Sequence, residues 1–531
     1  MLKKFAIVFC LVALSVPVAA SAQSTLSVGQ RVKTTAIVNV RSKPTNAKKS
    51  VLCIQTTGSV GTIVGGPTVA TGYTWWNVNF DSKCDGWAVQ NHLVPDGVTL
   101  PPPPVVPPSL PVLPPPPRLP PAPTADLEAV PTFNQDTAQQ FTLFVQRTGI
   151  QPSEVGVIVN ESDPQSVEVA NYFKQKHGIP DSNTIHVNFG AGATWIDNAT
   201  FAAIKSQITP QLKPTMQVLA ITWTAPWSVD AKQSITSAIT FGFGQQRGPD
   251  SSCSATALNP YYNHASGRPF TDLGIRPSMM VGGWNSDSAK KLIDNSTLAF
   301  MYLPTGDGYF VKTWDTARNV RWRTFQSTVS DWTPALTMYY LDDTVSGDPT
   351  NKPNVLFYQT GLATVPDLTT NQFLPGSVGD TLTSAAGVLW NGGQMSALEW
   401  LAAGASGSYG TVIEPCNHTQ KFPNSSVLVQ WYFSGNTLIE AYWKSVQWPG
   451  QGLFVGDPLA RPFGTKGTFS GGALTIKTSI MKPNTSYALY WSNYASGPWT
   501  LLQNNISVAK EQYNTITDSS GLHPFYKFVQ Q

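Results

Sequence analysis

Val155-Gly156-Val157-Ile158-Val159-Asn160-Glu161-Ser162-Asp163-Pro164 is the stretch on which the fold of this chain turns. An unbroken apolar run of β-branched residues predicts a strand buried on both faces, since a half-wet strand would alternate. Asp163 is placed to cap the free amides of a helix, and Pro164 suits its first position. Val167, Ala170 and Phe173 then recur at helical spacing until Gly178 and Pro180 stop the helix.

The same alternation continues downstream. Strands are expected at 184–189, 218–223, 278–283, 335–341, 355–358, 381–389, 409–413 and 452–455. Helices are expected at 199–212, 288–299, 316–332, 396–403 and 437–446. Apolar strands separated by helices predict an α/β domain over 127–464 with a mostly parallel sheet covered on both faces. Ligands of such sheets sit at the carboxyl ends of strands, which here carry Asn160, Glu161, Thr224, Thr360, Ser384, Glu414 and Asp457. No Gly-x-Gly-x-x-Gly or Gly-Lys-Ser/Thr loop is present, which disfavours a nucleotide. Gly-x-Ser-x-Gly is missing too, which argues against a nucleophile-elbow hydrolase. No cofactor is expected.

Upstream, residues 101–123 hold fourteen prolines in twenty-three positions. Such a run has few amides to donate and stays extended, reaching roughly 70 Å at ~3.1 Å per residue. A linker over 99–126 therefore separates the α/β domain from a small module at 24–98. Met1–Ala22 has the layout of a secretory signal: Lys3 and Lys4, an apolar run over 5–14, and Ala20-Ser21-Ala22 as cleavage site. That run is too short to span a bilayer and no later stretch is long enough, so an exported protein without a membrane span is expected, in the periplasm, at the cell surface or outside. Only 12% of residues are charged and the net charge is +3, with no basic run, so nucleic acid is not an expected partner.

Four cysteines remain after the signal. An even count in an oxidising compartment favours disulfides, with Cys53 and Cys84 the natural pair in the small module and Cys253–Cys416 a long-range staple. None has zinc-type spacing and no metal site is expected. Asp342, Asp343 and Asp348 lack the regular oxygen spacing of a calcium loop and read as a solvated turn.

Short strands fill 28–95. The phrases Asn39-Val40-Arg41-Ser42-Lys43-Pro44, Gly58-Ser59-Val60-Gly61-Thr62-Ile63, Trp76-Asn77-Val78-Asn79-Phe80 and Asp85-Gly86-Trp87 resemble the bacterial SH3-like family. The resemblance implies a small β-barrel that targets the envelope through peptidoglycan or an envelope protein or peptide. Alternation puts Trp76, Val78 and Phe80 on the core face and leaves Trp75 on the other, as the candidate binding aromatic. At the far end, 465–531 alternates again and predicts an appended antiparallel β-sandwich.

The final third of the α/β domain carries a second resemblance. Gly379-Asp380-Thr381-Leu382-Thr383-Ser384, Gly410-Thr411-Val412-Ile413-Glu414-Pro415 and Leu453-Phe454-Val455-Gly456-Asp457-Pro458-Leu459 follow in the order of the gingipain-like, caspase-type cysteine peptidases. Residues 153–463 resemble still more closely an uncharacterised family of exported bacterial proteins. The peptidase resemblance implies a His-Gly after one strand and a Cys after the next, since a thiolate nucleophile is paired with an imidazole. Those positions fall near Gln359-Thr360-Gly361 and near Ser384, and both groups are absent. The expectation is a non-catalytic domain serving as an interaction scaffold. The alternative is a secreted hydrolase using Ser384, or a carboxylate from Glu414 and Asp457. Arg318 and Arg321 sit at helical spacing, where they could clamp a carboxylate or form a paired helix face.

Overall fold

Parallel strands without a polar side need helices above and below, and that requirement organises the larger body of the protein. The computed structural model describes residues 26–82, 84–96, 124, 126–244, 253–333, 335–390, 392–482, 484–507 and 513–531. The expected signal segment, and all of the expected linker except Thr124 and Asp126, lie outside the described residues. Contacts divide the chain into two units, Met1–Pro116 and Pro117–Gln531. No helix among the described residues is long and apolar enough to cross a membrane.

In the first unit, seven strands form one sheet in the order Val51–Gln55, Val38–Arg41, Gly86–Val89, Tyr73–Phe80, Val60–Ala70, Arg31–Thr34, Leu93–Pro95. Each described pair is antiparallel, and the sheet curls into a nearly closed barrel around Val32, Val40, Ile63, Trp76, Val78 and Phe80. Cys53 and Cys84 form a disulfide beside this core.

The second unit is built on a ten-stranded sheet. Its strands are β1 (Val155–Asn160), β2 (Thr184–Val187), β3 (Val218–Ile221), β4 (Ser278–Met280), β5 (Asp307–Lys312), β6 (Thr337–Asp342), β7 (Val355–Thr360), β8 (Phe373–Thr381), β9 (Gly407–Thr411) and β10 (Gly452–Gly456). The order is β2-β1-β3-β4-β10-β9-β8-β7-β5-β6. Every neighbouring pair is parallel except β9 and β10. The sheet is thus two parallel halves of opposite direction joined at one antiparallel seam.

Side chains of β1 show how it is covered. Val157 and Val159 enter a core with Val169, Ala170 and Phe173 of helix Pro164–His177, while Ile158 enters another with Phe201 and Ile204 of helix Asn198–Ile208. Each such side chain contributes roughly 1.5–3 kcal/mol on burial. The cap operates as its sequence predicts: Asp163 accepts from the Gln165 amide, and Gly178 ends the helix in the left-handed conformation.

Strand β8 lies eight residues upstream of the 381–389 strand expected from the sequence. Its Leu-Pro-Gly-Ser-Val-Gly composition hides a strand, but the glycine has a reason. A Cβ on Gly379 would stand 2.2 Å from Cε3 of Trp400, whose ring is wholly buried. Only hydrogen fits there. The helix expected over 316–332 is confined to Trp322–Trp332, preceded by the 3-10 turn Asn319–Arg321.

The C-terminal strands do not form a separate sandwich over 465–531. They share one eight-stranded sheet with Leu127–Asn134 and Gln140–Gln146, which the sequence reading assigned to the α/β domain. Phe141, Leu143 and Val145 complete a core with Leu474, Ile476, Leu489 and Phe528. Six short strands alone would have left that core half-filled, so the chain recruits two strands from before the α/β body. Arg461 ties the parts together: its Nη1 and Nη2 donate to the two oxygens of Glu128 at 2.8 and 2.6 Å, and the pair is buried.

Candidate functional site

The carboxyl ends of β5, β7, β8 and β9 bring together Arg318, Thr360 and Ser384, whereas Asn160, Thr224 and Asp457 follow β1, β3 and β10. β7 and β8 are neighbouring parallel strands in register, Thr360 opposite Thr381. The two positions at which the peptidase resemblance calls for imidazole and thiol therefore lie side by side. One holds Thr360-Gly361. The other holds Ser384, three residues past the end of β8.

Thr360 is no surface group; it is 1% exposed. Its carbonyl accepts from Arg321 Nη2 at 2.7 Å, and the Gly361 carbonyl accepts from the Thr313 hydroxyl at 2.7 Å. A Cβ on Gly361 would meet the Arg318 carbonyl at 2.1 Å, so the turn is pressed against the chain that leads from β5 into the helix Trp322–Trp332. Glycine is required here for close approach.

Ser384 is half-buried in the loop beyond β8. Thr411 donates its hydroxyl to the Ser384 carbonyl at 3.2 Å. Gln394 fixes the loop from the other side, its Oε1 accepting from the Thr383 hydroxyl at 2.5 Å and the Ala385 amide at 3.1 Å. Arg318 donates from Nε to Thr383 Oγ1 at 3.1 Å and from Nη1 to Asp315 at 2.7 Å. Asp315, Thr383 and Gln394 thus hold the site, and sequence reasoning missed them as site residues. Gln394 lies in an Asn-Gly-Gly loop without periodicity, so nothing local marks it.

Arg318 and Arg321 do not form a clamp. The 3-10 turn sends Arg321 inward, where Nη1 pairs with Asp380 at 2.6 Å and Gln359 donates to the same carboxylate at 2.6 Å. At 3% exposure Arg321 is a buried ion-pair partner, and only Arg318 reaches the surface. Asn160 is also buried, with its amide spent on the chain at Phe189 and Ser162.

Glu414 and Asp457 cannot act as a pair. The β9–β10 ladder is antiparallel, with Gly407 opposite Gly456 and Thr411 opposite Gly452. Asp457 therefore follows one end of the ladder and Glu414 the other. Glu414 is exposed and accepts from the Cys416 amide at 2.7 Å as a turn residue. Asp457 is fully buried and bonded to His177 at 2.8 Å.

Each of the five histidines in the second unit is engaged elsewhere. His186 pairs with Glu161, and His264 accepts from the Ser266 amide. His418 packs edge-on against Trp448, and His523 stacks on Trp491. His177 holds Asp457, and His92 belongs to the first unit. Cys416 forms a disulfide with Cys253 and has no thiol to offer.

The aspartates after β6 part company as well. Asp342 pairs with Lys312 at 2.7 Å, while Asp348 faces Tyr358 and Asp343. Burial, with the Asp343 charge adding, pushes Asp348 up to about 6. Among the described residues no three His, Cys, Asp or Glu side chains are grouped so as to hold a metal.

In the first unit Trp75 does lie on the face opposite Trp76, yet it is 1% exposed. The strand Val60–Ala70 shifts register between Gly65 and Thr68, and its Ala70 carbonyl accepts from the Trp75 indole at 2.9 Å. Tyr73 and Arg41 complete the cover. The aromatic rings left at that surface are Tyr73, 42% exposed, and the half-buried Trp87. No protein-family model, curated protein or solved structure matches this chain.

Proposed function

We propose that this is an exported envelope protein whose barrel module grips peptidoglycan or a wall-linked peptide and whose α/β body is a non-catalytic scaffold. Support for the scaffold comes chiefly from one observation: the adjacent ends of β7 and β8 carry a buried threonine and a serine, with every histidine of the second unit engaged elsewhere. A serine hydroxyl is a weak nucleophile until a base removes its proton. Two disulfides suit an oxidising compartment and thus export. Tyr73 and Trp87 replace Trp75 as the rings through which the module would bind.

Two measurements test this reading. Full-length mature protein is sedimented with purified peptidoglycan; recovery in the pellet is expected, reduced at least fivefold in Tyr73→Ala/Trp87→Ala. The same protein is then screened against casein, wall peptides and glycans. Turnover that disappears in Ser384→Ala would install the hydrolase reading instead, since Ser384 is half-buried and directly follows the Thr383 that Arg318 holds.

A further inference from the structure

Away from the strand ends, a cleft of about 1010 Å³ opens where the eight-stranded sheet meets the α/β body. From the geometry of its walls we infer that this cleft is an oligosaccharide-binding site that prefers carboxylate-bearing sugars.

Two half-buried tryptophans from the α/β body form its aromatic walls, and both are braced from behind. Trp431 donates its indole N–H to Asn263 at 2.9 Å, and the Lys444 ammonium sits 4.0 Å from its ring. Trp332 packs edge-on against Phe433 at 5.4 Å. Rigid rings at a surface offer flat apolar faces at little entropic cost on binding, which is what the C–H faces of a pyranose stack on.

The rest of the lining includes polar side chains. Among the described residues the side chains of Gln430 and Gln530 make no hydrogen bond, although each amide carries both a donor and an acceptor. Such groups match sugar hydroxyls, which also donate and accept. A peptide ligand would call for an exposed strand edge or an apolar groove, and an apolar small molecule for fewer polar groups. Arg268 and Lys482 add two exposed cations with no ion pair among the described residues, against one exposed carboxylate side chain, Asp126, and this excess favours a sugar acid. Neither belongs to the module invoked for wall binding, so the site stands apart from that proposal.

Calorimetric titration of the full chain with hexameric oligogalacturonate and with chitohexaose tests it. Oligogalacturonate is expected to bind, and chitohexaose more weakly. Trp332→Ala is expected to weaken both at least tenfold. Arg268→Ala/Lys482→Ala should weaken oligogalacturonate alone, by a comparable factor. Since Trp332 also packs on Phe433, the exposed variant Gln430→Ala, alone and with Gln530→Ala, gives a second reading free of packing loss; a severalfold loss is expected. Failure of both sugars to titrate at millimolar concentration overturns the site, and so does affinity unchanged in the tryptophan and glutamine variants. Equal affinity for the two sugars removes the role given to the cations.

Discussion

Glu128 and Arg461 stand 333 positions apart and meet as a two-pronged ion pair that water scarcely reaches. Burying such a pair is costly, but removing one partner costs more, because the remaining charge is left without compensation. Glu128→Ala is therefore expected to lower the unfolding free energy of the second unit by about 3–5 kcal/mol, read by urea denaturation. Asp348 makes the opposite kind of statement. Its folded-state pKa of about 6 lies above the ordinary carboxylate value, so the folded protein holds its proton more tightly than the unfolded chain. The associated stability is fully present below the unfolded value, near pH 4, and is lost as pH rises through about 6. Asp348→Asn is expected to flatten that part of the stability profile, and identical wild-type and variant slopes between pH 4 and 7 would refute it.

Elements in this protein owe their positions to partners far away in sequence. Leu127–Asn134 and Gln140–Gln146 read as the start of the α/β domain, yet pair with strands more than three hundred residues later. Their apolar side chains have no other cover. Removing 465–531 should leave Phe141, Leu143 and Val145 facing water; aggregation on expression and strong dye binding are expected from 127–464. A soluble, monomeric truncated chain would show instead that the shared core is dispensable. The strand β8 teaches a related lesson, because its glycines look like a turn until Trp400 is seen lying on Gly379. The strand β5, Asp307–Lys312, escaped notice because Gly306-Asp307-Gly308 reads as a turn and leaves only Tyr309-Phe310-Val311 as an apolar run.

At the scale of the whole molecule the two disulfides matter most. Cys53–Cys84 closes 31 residues inside the barrel, and Cys253–Cys416 spans 163 in the second unit. Longer closed loops take more freedom from the unfolded chain, so the second bond is expected to contribute about 2–5 kcal/mol. Native protein should show no alkylatable thiol among these four positions without reductant. The Cys253→Ser/Cys416→Ser protein should melt well below wild type, while Cys53→Ser/Cys84→Ser should leave the second unit's transition in place. Opposite strand directions across the β9–β10 seam have their own consequence at this scale: the sheet has no single carboxyl edge, so residues at the ends of neighbouring strands need not meet.

What residue pattern alone determined was the class of the segments whose signals are local. The barrel strands, the buried β1 with its capped helix, and the partners of both disulfides follow from local rules: alternation, apolar runs, helix caps and cysteine count. Each of these depends on neighbours a few residues away or on a number. Tertiary structure alone decided exposure and company. Trp75 and Arg321 are buried, Glu414 and Asp457 are separated, and Trp332 and Trp431 come to one cleft. The physical reason is the same throughout: which face of an element meets water depends on what packs against it, and no local pattern names that partner, whether Ala70 beside Trp75 or Asp380 beside Arg321.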